Sequence, residues 1–510
     1  MSLPSRRRRG LVAAVAAVAL AGCSAGSDAP SSGTADDGAA GTTSLAVGLA
    51  AEPASLDFTT TDGAAIPEAL LYNVYETLVK IDAESGEVVP LLAEDVAVSE
   101  DGRTYTFTLP EGVTFSNGDE FTAEDVKFSI ERVQSEDWTV SLKEAMSVVE
   151  SVEAPSPTEA VVTLAAPSND WLYRMTTRIG AMFSETGVDD LANTPVGTGP
   201  YVLDTWTRGD SLTLTTRDDY WGEAPDVQEV TLRYFEDATA MNNALLSGGI
   251  DVIGTLQSPE SLERFADDDR FTVVEGTTNG ELVLSMNNAR PPFDDVKVRQ
   301  AVRHALDRQA VLDTTYAGYG ELIGSMVPPT DPWYEDLTDV APQDQARARA
   351  LLAEAGATDL SVAFRIPNLP YAVTAAQVVE SQLAEVGITA EIEVLEFPAR
   401  WLDVVFKQHD YDLSLIAHVE PRDITAFADP EYYFGYDSAE FRTAVEQAAT
   451  APDEQQYVEL MQRAARQLSE DAAADWLFVL PNLIVAEQDV EGLPVNRVSE
   501  SFDLTAVSRA

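Results

Sequence analysis

The stretch "HVEPRD", His418 to Asp423, sets an imidazole, two carboxylates and a guanidinium within six residues. Such a set binds the charged and hydrogen-bonding groups of a small molecule. Glu420 and Asp423 accept hydrogen bonds, and Arg422 offers the fork that grips a carboxylate at two points. The chain has only three histidines. His304 lies in a helical stretch, "VRHALD", and His409 in a polar turn, which leaves His418 as the one beside other binding groups. No HExxH, cysteine cluster or EF-hand loop occurs, so no protein-built metal site is expected. No GxSxG and no P-loop occur, so nothing points to a nucleophile elbow or a nucleotide. "GTGPYV" leads into a strand rather than a helix, which excludes a phosphate cradle. Binding without catalysis, and without a cofactor, is the chemistry these residues support.

The elements around "HVEPRD" say how it is held. "LSVAFRI" (Leu360 to Ile366), "ITAEIEVLEF" (from Ile388) and "YDLSLIAHV" (from Tyr411) read as strands. Between them run two helical stretches, "AVTAAQVVESQLAEVG" and "PARWLDVVFKQ". Strand–helix–strand–helix–strand predicts a parallel sheet, because crossovers of this length connect parallel neighbours. Ligands of open parallel sheets bind beyond the carboxyl ends of the strands. That rule selects three loops: "RIPNLPYA" with Arg365, Asn368 and Tyr371, "EFPARW" with Trp401, and "HVEPRD" itself.

Upstream, "TYTFTLPEGVTFSNGDEFTAEDVKFSIERV" (Thr104 to Val133) predicts strand, turn, strand and then a helix capped by Thr122 and Asp125. Thr194 to Gly222 reads as β-rich, with Gly197 and Gly199 at a tight backbone passage. "IPEALLYNVYETLV" and "FDDVKVRQAVRHALDRQAVL" each predict one helix, the second with Val298, Val302 and Leu306 on one face.

The amino terminus carries a different signal. "RRRRG" precedes an apolar run, Leu11 to Leu20, of only ten residues. A membrane-crossing helix needs about 20. Basic cluster, short apolar run and small residues make an export signal. "LAGC" resembles the lipobox of bacterial lipoproteins, which implies that Cys23 is acylated and becomes the first residue. The alternative is a plain secretory signal with an incidental cysteine. The arginine run also fits a twin-arginine signal but lacks Phe-Leu after the pair, so the export route stays open. Cys23 is the only cysteine, so no intrachain disulfide forms. Residues 23–43 contain no large apolar side chain and read as a flexible linker. The net charge of −54 excludes nucleic acid as a partner, since phosphates require a basic face.

Longer stretches resemble the family 5 extracellular solute-binding proteins of bacterial ABC importers, the dipeptide-, oligopeptide- and nickel-binding proteins. They are "LYNVYETLV", "LLAEDVAVSEDGRTYTFTLPEGVTFSNGDEFTAEDVKFSIERV", "PVGTGPYVL" with "RDDYWG", "SGGIDV", "LSMNNARPPFDDVKVRQAVRHALDR", "ARALLAEAG" and "YDLSLI", in the family's order. One departure is "SLDF", where the family usually has Leu-Asp-Pro. The resemblance implies an α/β fold, a two-lobed periplasmic-binding-protein-like clamshell of class II type with an additional α+β domain. After a signal at 1–22, lobe I would comprise 44–75, 194–280 and 477–510. The extra domain would be 76–193, and lobe II, with the parallel sheet, 281–476. The crossing segments would lie near Gly280 and Trp476.

The resemblance also implies the function: a monomeric receptor, anchored outside the cytoplasm by lipidated Cys23. It captures a peptide-like or other small organic solute and passes it to an ABC permease, and so indirectly to the ATPase subunits. In peptide-binding members an acid after the "YDL" strand holds the peptide's amino terminus, a role open here to Glu420 or Asp423. The loop is altered, with His418 near the usual Trp position. Arg365 and Asn368 lie where dipeptide binders contact ligand. A nickel–chelator receptor with His418 as its ligand is the alternative within the fold, and a surface-anchored hydrolase or an adhesion protein the alternative outside it.

Overall fold

Alternation sets the strands. In Ser211–Thr216, Leu212 and Leu214 are buried between threonines, and in Thr104–Thr108 Tyr105 and Phe107 point inward in the same way. The computed structural model describes residues 43–510 apart from Asp62, Gln257 and the side chain of Ser141. The export signal, Cys23 and nearly all of the expected linker therefore lie outside the described residues. Among the described residues no helix is long and apolar enough to cross a membrane.

One ten-stranded mixed sheet organises the molecule. From one edge inward run Ile388–Leu395, Leu360–Pro367 and Leu413–His418, all parallel, as the crossover pattern predicts. Two long antiparallel strands follow, Phe271–Met286 and Ala474–Glu487. Beyond them lie Val252–Ile253, Ser44–Leu49, Glu229–Tyr234, Ser211–Thr216 and Tyr201–Thr207. The two long strands are thus shared by both ends of the sheet. Their pairing shifts register between Thr277 and Glu281, opposite Pro481 and Val479. A second sheet of four strands, Asp95–Val98, Thr104–Thr108, Glu159–Leu164 and Val149–Ser156, packs against the helix Ala123–Gln134.

Three apolar cores matter for the site. Phe107, Val126 and Val162 of the four-stranded unit join Leu45, Val47 and Leu232 in one continuous core. At the other end of the main sheet the faces divide. Leu282 and Leu284 pack under the crossover helices, while Val283 and Ile416 pack with Trp401, Tyr433 and Trp476 on the opposite face. Strand Ala474–Glu487 is tied to the helices beside it by a charged knot. Asp475 Oδ1 accepts from Arg303 Nε at 3.1 Å and from Arg308 Nε at 3.0 Å, with Asp475 and Arg303 fully buried.

Local chemistry follows the sequence closely in places. Thr122 accepts from the Glu124 N–H while the Asp125 carboxylate receives the Thr122 N–H, giving the expected capping box. Gly197 runs so close to Val74 that a Cβ would stand 2.0 Å from its carbonyl oxygen, so only glycine fits.

Three expectations are corrected. The helix expected over "FDDVKVRQAVRHALDRQAVL" is two, Val296–Ala305 and Arg308–Tyr316, because Leu306 is extended and Asp307 caps the second by accepting the Ala310 N–H. The helix expected in "IPEALLYNVYETLV" stops at Leu70, and Tyr72 takes a left-handed backbone with its hydroxyl donating to the Thr176 carbonyl at 2.7 Å. The second strand in Thr104 to Val133 is a single bridge, Thr114 to Glu120. The helix expected in "PARWLDVVFKQ" forms, α over Ala399–Trp401 and continuing as π-helix over Leu402–Lys407, where the Gln408 N–H reaches back five residues to the Asp403 carbonyl.

Candidate ligand-binding cleft

Strand Leu413–His418 ends at the rim of the sheet, and the chain then turns sharply. Arg422 adopts the left-handed conformation (φ 58°), and Asp423–Ala428 forms a short 3-10 helix. The turn folds Asp423 back beside the strand end. The Asp423 carboxylate lies 3.1 Å from His418 Nδ1, and His418 Nε2 lies 2.7 Å from the Tyr433 hydroxyl. That hydroxyl is 2.8 Å from Ser285 Oγ, which completes a buried Asp–His–Tyr–Ser chain. Glu281 stands directly opposite His418 on the neighbouring strand, so both side chains rise from the same face. It is 2% exposed, and its Oε2 has no hydrogen-bond partner.

A cleft of about 370 Å³ opens in front of this chain, lined by Arg174, Glu420, Pro421, Asp423, Thr425, Ala426 and Tyr432. Arg174 arrives from the short helix Trp171–Arg174 and is held by Asp170, Nε to Oδ2 2.6 Å. The same segment contacts the far wall, where Asn169 Nδ2 donates to the carbonyls of Ala448 (2.9 Å) and Ala451 (3.0 Å).

The electrostatics are one-sided. Asp170, Glu281, Asp331, Glu420 and Asp423 gather around the cleft, against the guanidinium groups of Arg174 and Arg422. Burial pushes the Glu281 carboxyl well above the usual range, and the charges of Asp423, Asp331 and Glu420 push it further. Burial raises Asp423 too, partly offset by its hydrogen bond with His418. Asp331 is pushed up to about 7 by burial, with Arg422 pulling the other way. Buried carboxylates short of counter-charge make a site that gains from receiving a cation. His418, Glu420 and Asp423 also bring donor atoms within 4.8 Å of one another, a set able to hold a metal ion.

The structure divides the eight residues expected at the ligand. Glu420 and Asp423 line the cleft and His418 backs it. Arg422 turns into an aromatic pocket, its guanidinium carbon 3.6 Å from the Tyr173 ring centroid. The other four brace the scaffold. Arg365 pairs with Glu393 and Asp410, Asn368 accepts the Phe397 N–H, Tyr371 OH accepts the Ala417 N–H, and Trp401 is buried with Nε1 on Ser414 Oγ. Residues missed from sequence are Glu281, Asp331, Asp170, Arg174 and Tyr432. Only Glu281 carried a signal, an acid opening the apolar run "ELVLSM".

A mixed sheet whose two ends share a pair of long strands, with a polar cleft at the strand ends, defines a two-lobed α/β binding protein of the periplasmic type. The chain belongs to the bacterial extracellular solute-binding proteins, family 5, whose profile, described as the middle part of that family, matches residues 87–440. It is similar to the glutathione-binding protein GsiB of Salmonella paratyphi A, 30% identical over 346 residues, covering 66% of this chain and 67% of that one. Its fold is similar to Helicobacter pylori DppA in complex with peptide STSA, at 22% identity and TM-score 0.76, covering 91% and 98% of the two chains. It is also similar to NikA from Brucella suis in complex with Fe(III)-EDTA, at 23% identity and TM-score 0.81, covering 92% and 100%. The protein is thus a solute-binding protein of the ABC-importer type and not an enzyme. Its family works outside the cytoplasm, binding small solutes and delivering them to permease subunits.

Proposed function

We propose that this protein captures a small organic solute bearing a protonated amine, peptide-like in kind, between Glu420 and Asp423, and is held at the membrane surface by a lipid on Cys23. The observation that carries the reading is the surplus of buried carboxylate around a cleft that Arg174 reaches from the opposite wall. An ammonium group there relieves Asp423 and Glu281 together. The register shift at Thr277 and Glu281 supports lobe boundaries near Gly280, with 44–75, 194–280 and 477–510 moving against 281–476. Solute bridging both walls stabilises the shut form, a population shift that the permease reads. The lipid on Cys23 keeps the monomeric receptor beside its permease and so raises its local concentration there.

Replacing Glu420 or Asp423 with Ala should weaken binding of free-amine peptides by about 1.5–3 kcal/mol each in calorimetric titration, the worth of a charged hydrogen bond. Unchanged affinity in both variants would refute the site. Cys23→Ser should move the protein from the membrane pellet to the supernatant, and continued pelleting would refute the lipid. A metal–chelate solute is a second reading, favoured by the donor set of His418, Glu420 and Asp423. Under it, titration with Ni(II)–histidine, not with peptides, gives the heat.

A further inference from the structure

Arg422 occupies a place built for a cation but fits it poorly. Its guanidinium carbon lies 3.6 Å from the Tyr173 ring centroid and 4.9 Å from that of Trp333. Tyr457 stands edge-on to Trp333 at 5.3 Å and closes the aromatic wall. Two carboxylates face the same space, Asp170 at 3.7 Å and Asp331 at 3.9 Å from the guanidinium. Both distances exceed a hydrogen bond. Arg422 Nε, Asp331 Oδ2 and Asp170 Oδ1 are all buried without a hydrogen-bond partner. Arg422 and Asp331 are each only 9% exposed.

Three buried, complementary polar atoms without a hydrogen bond are costly, because each has lost water and gained at most a loose ion-pair contact. Arg422 enters from a left-handed backbone position between Pro421 and Asp423, and from that tether its guanidinium stops 3.7 Å from Asp170 and 3.9 Å from Asp331. A guanidinium free of that tether presents five N–H donors in one plane. It could stack on Tyr173 and bond to Asp170 and Asp331 together. Pro421 and Asp423, the neighbours of Arg422, line the cleft, as does Arg174, so cage and cleft are adjacent.

We infer that the cage of Tyr173, Trp333, Asp170 and Asp331 is a guanidinium-binding subsite, held in the solute-free protein by Arg422 as a placeholder and filled by a guanidinium group of the captured solute. The inference rests on the reading of the cleft as the solute site and narrows the solute class to guanidinium-bearing molecules, such as arginyl peptides or agmatine. When such a solute enters, Arg422 swings toward the cleft, where Glu420 or a ligand carboxylate receives it. Because Asp170 and Tyr173 come from one wall and Asp331, Trp333 and Arg422 from the other, the exchange reports solute identity directly to the contact between them.

Chemical rescue tests this. In Arg422→Ala, 20 mM methylguanidinium should raise the melting temperature by several degrees, and methylammonium at equal ionic strength should not. The unaltered chain, its cage filled, should show less than half that rise. Adding Asp331→Asn to the Ala variant should remove the rescue. Equal effects of the two cations in Arg422→Ala would overturn the inference. Arg422→Gln, which keeps the side-chain length without the charge, is the second host if the Ala variant does not fold. On the unaltered chain agmatine should bind at least tenfold tighter than cadaverine, and equal affinities overturn the subsite even if neither variant folds. If free-amine peptides still bind while these comparisons fail, the receptor reading stands and the guanidinium subsite alone is wrong.

Discussion

Asp475→Ala should destabilise the protein by about 3–5 kcal/mol, the usual cost of removing one partner of a buried ion pair. Asp475 is the only carboxylate paired with Arg303 and Arg308 among the described ion pairs, and neither Asp475 nor the Arg303 side chain is exposed at all. Burial already pushes Arg303 down to about 10 despite the attraction of Asp475. Without that carboxylate a guanidinium stays enclosed with only neutral acceptors, the Ser469 hydroxyl and carbonyl and the Gly324 carbonyl. The loss matters for function because Asp475 sits in the long strand Ala474–Glu487, which both ends of the sheet share. Denaturant unfolding followed by tryptophan fluorescence reads the change, since Trp476 is the next residue. Asp475→Asn should cost a comparable amount, because it too leaves the arginine without counter-charge. A loss below about 1 kcal/mol in both variants would place the charge pair among merely tolerated features.

Glu281→Gln should have the opposite sign. The Glu281 carboxyl is raised in the folded protein by burial and by the neighbouring Asp423, Asp331 and Glu420 charges. A carboxyl raised in this way costs nothing below its unfolded value, where both states are protonated. It withdraws stability as the pH climbs from there through the folded value. The solute-free wild type and Glu281→Gln should therefore be equally stable near pH 4. At pH 8 the variant should be the more stable by about 1–3 kcal/mol, the penalty of an unsatisfied buried group. The same substitution should weaken a cationic solute roughly tenfold, one hydrogen bond's worth of free energy. Stability gained where binding is lost is the mark of a residue kept for its site. Melting curves at the two pH values and one titration decide it; a variant less stable than wild type at pH 8 would contradict the electrostatic account.

How much of this was legible beforehand depended on whether a feature was local. The capping box of Thr122 and Asp125, the close passage at Gly197 and the three parallel strands all follow from patterns a few residues long, and the structure shows each. The break after Ala305 was locally visible as well, because Asp307 is a capping residue. It lost to an apolar periodicity running through it. Glu420 and Asp423 line the cleft in the loop to which the strand-end rule points. Arg365 and Trp401 obey the same rule yet turn to Asp410 and Ser414, since which way a loop side chain turns depends on distant partners. Asp170, Arg174 and Asp331 reach the cleft only through folding; they lie 253, 249 and 92 positions before Asp423 along the chain, and no spacing announces them.

On the proposed reading, the cleft beside Asp423 is completed by a positive charge carried by the solute. Calorimetric titration of the unaltered protein at pH 7.5 compares free-amine peptides with the same peptides N-acetylated. The free amines should bind, the acetylated forms at least tenfold more weakly, and binding of the amines should release protons to the buffer as raised carboxyls ionise against the cation. Equal affinity for the acetylated forms, with no protons exchanged, would contradict it.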